Sequence, residues 1–235
     1  MVIEFLGIRM YTLGLYTAFG ALCAAAVVGV LGRGLGLKRG SASLVVLFAG
    51  VCGLVCSRLA FCAVYRLSVK ALPLSLWADL AGGGWSLAGM FAGFALGGWI
   101  AARAAREKAG TVFDILSCAV LPLVAAERIG EARISGGDDA AVHTAAAVAA
   151  LALFVVLLVL LVKRRKADGT MARVFLVLAG AGSVVLESLR KTAFLPVGSL
   201  SLLQVTGIIM LAAGIPAVVL QVRRGRNKTR PDSHS

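Results

Sequence analysis

Seven stretches of this chain are candidates to cross a bilayer, the fourth of them short, and few folds accommodate that. They lie at roughly 11–31, 42–64, 84–102, 112–127, 143–162, 171–190 and 199–222. A spanning helix needs about 20 mostly apolar residues. Hydrocarbon offers the backbone no hydrogen-bond partners, so the chain must pair its own N–H and C=O groups within each span. The expected fold is all-α, a polytopic membrane protein of about seven transmembrane helices. Residues 1–222 read as one transmembrane domain and 223–235 as a basic, polar tail. Composition agrees: 60% of the 235 residues are hydrophobic and only 15% are charged, where a soluble domain carries about a quarter. The segment 66–83, "RLSVKALPLSLWADLAGG", is too polar to span and reads as an interfacial or re-entrant piece. The opening "MVIEFLGIRM" carries Glu4 ahead of its apolar run and lacks a basic leader, so no cleavable signal is expected.

The net charge of +13 would suit a nucleic-acid binder, but its distribution points elsewhere. Arg33, Lys38 and Arg39 follow the first span, and Arg103, Arg106 and Lys108 follow the third. Lys163, Arg164, Arg165, Lys166 and Arg173 lie around the loop after the fifth. Arg223, Arg224, Arg226, Lys228 and Arg230 are in the tail. These are most of the chain's 24 basic residues, and they fall on one side of the alternating topology. Lys and Arg accumulate on the cytoplasmic side of spans. The expectation is an N-terminus outside, a C-terminus in the cytoplasm, and a basic face toward anionic lipid rather than nucleic acid.

No metal or other cofactor is expected. The five cysteines all fall in apolar segments, where a thiol packs as a small apolar group. Two histidines supply too few ligands for a zinc site. Gly89, Gly93 and Gly97 recur every fourth residue in the third span, a pattern that lets helix backbones approach closely.

Charges inside the spans carry the chemistry. An ionisable side chain at mid-membrane costs roughly 2.5–3.5 kcal/mol on insertion scales, so each one asks for a reason. Arg58 lies in the second span, and Asp114 opens the fourth, where it suits a helix cap or a salt bridge. Glu127, Arg128, Glu131 and Arg133 close the fourth span, and Glu187 and Arg190 lie near the outer end of the sixth. Arg128 with Glu131, and Glu187 with Arg190, are three residues apart and can pair on one helix face. One reading is a set of local ion pairs that ties helices together. The other is an outward-facing pocket whose guanidinium groups grip a phosphate, with the carboxylates orienting them or accepting protons.

The chain resembles the bacterial phosphatidylglycerol–prolipoprotein diacylglyceryl transferases over nearly its whole length. "GIRMYTLGLYTAFG" is similar to the family's opening R-W-Y-G-L region, with Tyr11 at its tyrosine. "GLVCSRLAFCAVY" resembles G-x-x-x-x-R-L-x-Y-V, with Arg58 at its arginine. "GGGWSLAGMFAGFALGGWIAAR" resembles G-G-L-S-F-H-G-G-L-x-G-G. "FDILSCAVLPLVAAERIGEA" resembles the segment D-x-x-A-P-x-x-x-x-x-x-R-x-G-N-F, and "SVVLESLRK" the late R-F-x-x-E-x-x-R. "GSLSLLQVTGIIMLAAG" is similar to the closing span. The resemblance implies a bacterial cytoplasmic-membrane enzyme that moves a diacylglyceryl group from phosphatidylglycerol to a lipobox cysteine. On this chain it places Arg128, Arg58 and Arg190 on the lipid phosphate, Glu187 as their orienting carboxylate, and Tyr11 at the chemistry, where Glu131 joins it as a candidate catalytic residue.

There are departures. The family's histidine, a proposed base, is Ala88 here, and its asparagine after R-x-G is Glu131, a substitute base one turn beyond Arg128. An arginine and a tyrosine of the sixth span become Ser183 and Ala179. The external head shrinks to about 135–142, and His143 stands where H-P-x-Q-L-Y-E begins. The alternative function is therefore a non-catalytic lipid-binding or partner protein on the same scaffold. A small transporter is a third reading, but no internal repeat or pair of broken helices supports it.

Overall fold

The computed structural model describes residues 2–5, 8–64, 85–135, 137–164, 168–190, 196–197 and 199–228. Seven helices are long and apolar enough to cross a membrane. They are α1 (Thr12–Gly34), α2 (Ser41–Val64), α3 (Leu87–Ala105), α4 (Ala109–Ile134), α5 (Gly137–Arg164), α6 (Thr170–Ser188) and α7 (Leu202–Lys228). A hairpin of β1 (Val2–Phe5) and β2 (Ile8–Tyr11) precedes them, antiparallel with Val2 opposite Tyr11. A two-residue ladder, β3 (Pro196–Val197) with β4 (Leu200–Ser201), leads into α7. The polar segment 66–83 lies outside the described residues.

All seven expected spans form helices, with one informative difference. The fourth does not stop at the charges: α4 continues to Ile134 and carries Glu127, Arg128, Glu131 and Arg133 within it. Hydropathy treats each charge as a cost, whereas here Arg128 pairs with Glu131 one turn on and lies 3.6 Å from Glu127. The segment expected as a shrunken external head is also mostly helical, because α5 begins at Gly137. Asp138 and Asp139 fall in its first turn, where the helix dipole favours carboxylates.

α4 is the axle of the bundle. Two thirds of its apolar window (67%) is buried, and it packs against α1, α3, α5 and α6. Asp114 is fully buried near its start and does not cap its own helix. Its two carboxylate oxygens accept the backbone N–H of Gly169 and of Ala172, each at 2.8 Å, so it caps α6. The glycine ladder of α3 faces α2. A Cβ on Gly89, Gly93 or Gly97 would run into the backbone carbonyl of Cys56, Cys52 or Phe48 respectively. Lipid tails are as apolar as side chains, so this close backbone packing is what holds two such helices together.

Successive helices alternate in direction, and cross-helix bonds mark the two ends. At one end, Glu107 accepts from the Lys38 backbone N–H at 2.8 Å, Asp114 caps α6, and Arg173 bonds Gln221. At the other, Ser57 bonds Ser86, Arg128 meets His143, and Gln204 donates to Ser188. The functional candidates lie at this second end.

Candidate functional site

The site begins with the seam between α2 and α3. Ser57 Oγ donates to the Ser86 carbonyl and accepts the Ser86 backbone N–H, each at 2.8 Å. Ser86 in turn caps α3 by accepting from Gly89 N–H at 3.3 Å. This clasp fixes the residues beside it: the Arg58 guanidinium lies over the Trp85 ring, 4.4 Å from its centroid. A cation desolvated on an indole face gains roughly 2 kcal/mol, which helps hold Arg58 in place at 6% exposure.

The last turns of α4 supply the charged centre. Arg128 is 6% exposed. Its Nη1 lies 2.5 Å from Glu131 Oε2 and its Nε lies 3.6 Å from Glu127 Oε2. His143, two turns into α5, is 2% exposed. Its Nδ1 is 3.0 Å from Glu131 Oε2 and 3.3 Å from Arg128 Nη1. From α6, Glu187 accepts from Arg190 Nη1 at 2.8 Å. The capping box at the start of α7 closes the same end. There Gln204 N–H donates to Ser201 Oγ at 3.1 Å, and Ser201 N–H donates to Gln204 Oε1 at 2.8 Å.

Two cavities share this cluster. A small one of about 30 Å³ is walled by Trp85, Glu127, Arg128, Glu131, Glu187 and Arg190, among others. A larger one of about 260 Å³ has Arg128, His143, Glu187 and Arg190 in its polar wall. Leu121, Val124, Ala146, Ala150, Leu153 and Phe175 form part of its apolar wall. Ser183 and Ala179, both half-buried, also line it, so these two departures from the resembled pattern sit at the cavity. Two buried donors at the cluster, Trp85 Nε1 and Arg190 Nε, have no hydrogen-bond partner among the described residues. A buried unpaired donor costs about 1–3 kcal/mol. Glu127 Oε2, in the wall of the small cavity, likewise has no hydrogen-bond partner among the described residues.

The structure thus gathers Arg128, Glu131, Glu187 and Arg190 around one cavity and brings Arg58 against it through Trp85. The Tyr11 side chain lies outside what is described; its backbone ends the N-terminal hairpin, directly before α1. Sequence reasoning missed His143 as a member of the centre, and Trp85 with it. His143 carried a signal, its place where the family's H-P-x-Q-L-Y-E begins, just beyond the charged turn. Trp85 carried none, because its place depends on a serine clasp between two helices.

Fold and site define a multi-pass membrane protein with a buried cluster of paired arginines and glutamates at one end of its bundle, beside an apolar cavity. The chain belongs to the prolipoprotein diacylglyceryl transferase family, whose model matches residues 1–132 and 141–220. The unmatched residues between these ranges include the junction of α4 and α5. A search among curated proteins found no match.

Proposed function

We propose that the chain transfers a diacylglyceryl group from phosphatidylglycerol to an acceptor thiol, the cysteine of a lipobox-containing prolipoprotein, in the bacterial cytoplasmic membrane. Membership of a transferase family supports the class of reaction. The observation that carries the site assignment is the juxtaposition of buried guanidinium groups with unpartnered donors at the head of an apolar cavity. A phospholipid has the matching form, an anionic phosphate on apolar tails.

The lipid enters laterally, with its acyl chains along the apolar wall and its phosphate toward Arg128 and Arg190. Arg58, on Trp85, adds positive charge to the same end. Glu187 and Glu131 hold the guanidinium groups in place. The acceptor sulfur attacks the glyceryl carbon, the carbon–oxygen bond to phosphate breaks, and glycerol phosphate leaves with the bonding pair. Charge grows on the leaving phosphate in the transition state, and arginines fixed in a dry site stabilise it there without reorganising. Glu131 lies where the thiol proton is removed, and Tyr11 near the reacting lipid. The concentration of Lys and Arg at the opposite end of the bundle supports an outward-facing site, with the C-terminus in the cytoplasm.

The test is lipidation of a lipobox peptide by the purified chain in phosphatidylglycerol liposomes. A mass gain of one diacylglyceryl group on the cysteine is expected. An unmodified peptide beside unconsumed lipid would favour the non-catalytic reading.

A further inference from the structure

We infer that His143, held by Glu131, is the base that takes the acceptor's proton; the assignment rests on the transferase reading above and deepens it. Glu131 occupies an unusual position for a free base. One of its carboxylate oxygens already faces both Arg128 Nη1, at 2.5 Å, and His143 Nδ1, at 3.0 Å. A guanidinium can only donate, and an ionised carboxylate can only accept. The arrangement that satisfies all three groups has Arg128 and the His143 Nδ1–H both donating to Glu131. The histidine proton is then on Nδ1, and Nε2 keeps its lone pair. His143 lines the larger cavity, and Nε2 is the ring nitrogen left for it.

The other polar groups around that cavity are less suited. Arg128 and Arg190 have no lone pair to offer. Glu187 is taken by Arg190 at 2.8 Å. Glu127 borders the small cavity and not the larger one. A histidine whose Nδ1–H is fixed by a carboxylate is the arrangement by which proteins orient an imidazole and stabilise its protonated form. In the transfer, the thiol proton moves to Nε2 as the sulfur–carbon bond forms and the carbon–oxygen bond to phosphate breaks. The imidazolium is balanced by Glu131 and returns its proton to the departing glycerol phosphate. Glu131 is a positioning residue in this scheme.

The experiment separates chemistry from scaffolding by comparing two amides. In H143N the side-chain amide stands where Nδ1–H stood, so it keeps the donor to Glu131 and removes the base. In H143Q the amide falls nearer Nε2. Measured in phosphatidylglycerol liposomes with a lipobox peptide, H143N should lose transfer by about 100-fold or more while keeping the wild-type melting temperature and lipid retention. H143N that transfers at near the wild-type rate would overturn the assignment and leave His143 as a helix tie. A wild type that transfers nothing would overturn the transferase reading and the base together, a different pattern from an active wild type with an active H143N. The second readout is the tautomer. The chain has two histidines, so nitrogen-15 spectra of labelled protein, with H143N to assign the signals, report His143 directly. A proton on Nδ1 that E131Q redistributes is expected. A neutral ring protonated on Nε2 in the wild type would contradict the proposal.

Discussion

Asp114 of α4 accepts the backbone N–H of Gly169 at the start of α6, at 2.8 Å, although the two residues belong to different spans. A second bond, from Ala172 N–H, lies on its other oxygen. Asp114 is fully buried, so replacing it takes away the acceptor of two N–H groups at the start of α6. D114A should destabilise the fold by about 2–4 kcal/mol, from two charge-assisted bonds, and D114N by less. Thermal unfolding in detergent, followed by helical signal, measures this. An unchanged midpoint in D114A would show that the cap contributes nothing.

The α2–α3 seam predicts a position-dependent response to one methyl group. G93A places a Cβ against the Cys52 carbonyl, and G97A places one against that of Phe48. Both should lower the unfolding midpoint, with a cost of about 1–3 kcal/mol from overpacking. Gly29 and Gly50 have nothing within 4 Å of where a Cβ would sit, so G29A and G50A should be neutral or slightly stabilising through better helix propensity. Equal effects at all four glycines would refute backbone contact as the reason for the ladder.

Arg128 compensates carboxylates on either side of it, at 2.5 Å from Glu131 and 3.6 Å from Glu127. Removing it strands those charges in the bundle. R128M should cost about 3–5 kcal/mol, and adding E131Q should recover part of the loss, because breaking one side of a buried pair is worse than removing both. A double-mutant cycle on unfolding free energy checks this. Strict additivity would mean that the two side chains do not depend on each other.

At the opposite end, Glu107 joins the α1–α2 and α3–α4 connections. Its carboxyl is held below its ordinary value of 4.5, chiefly by the hydrogen bond from the Lys38 backbone N–H, then by the Ser41 hydroxyl and the Lys38 charge. A lowered folded value means that the ionised form is the one bound by the fold. This contribution is therefore complete above the unfolded value and fades as pH falls through the folded one. Below about pH 4.5, stability of wild type should fall more steeply than that of E107Q. Parallel pH profiles would rule out this carboxylate as the cause.

The spans were legible because run length alone specifies a transmembrane helix. The end of the fourth was not, because hydropathy scores Glu127, Arg128 and Glu131 as three separate costs. Their pairing, and the His143 contact across to α5, turns those costs into a packed centre. The Arg128–Glu131 and Glu187–Arg190 pairs could be anticipated from three-residue spacing. The Arg58–Trp85 stack and the Asp114 cap could not, since each joins residues from different helices whose register no local pattern encodes.

Transfer from Arg128-bound phosphatidylglycerol is read as release of glycerol phosphate from lipid labelled in its headgroup, by wild type and R128K in proteoliposomes containing the lipobox peptide. Lysine keeps the charge but loses the planar fork that fits a phosphate. Release should be matched mole for mole by lipidated peptide in wild type and reduced by about 100-fold or more in folded R128K, in line with loss of a transition-state donor. Wild-type release that R128K reproduces at full rate would contradict the placement of the phosphate on Arg128. No release from either would contradict the transfer itself.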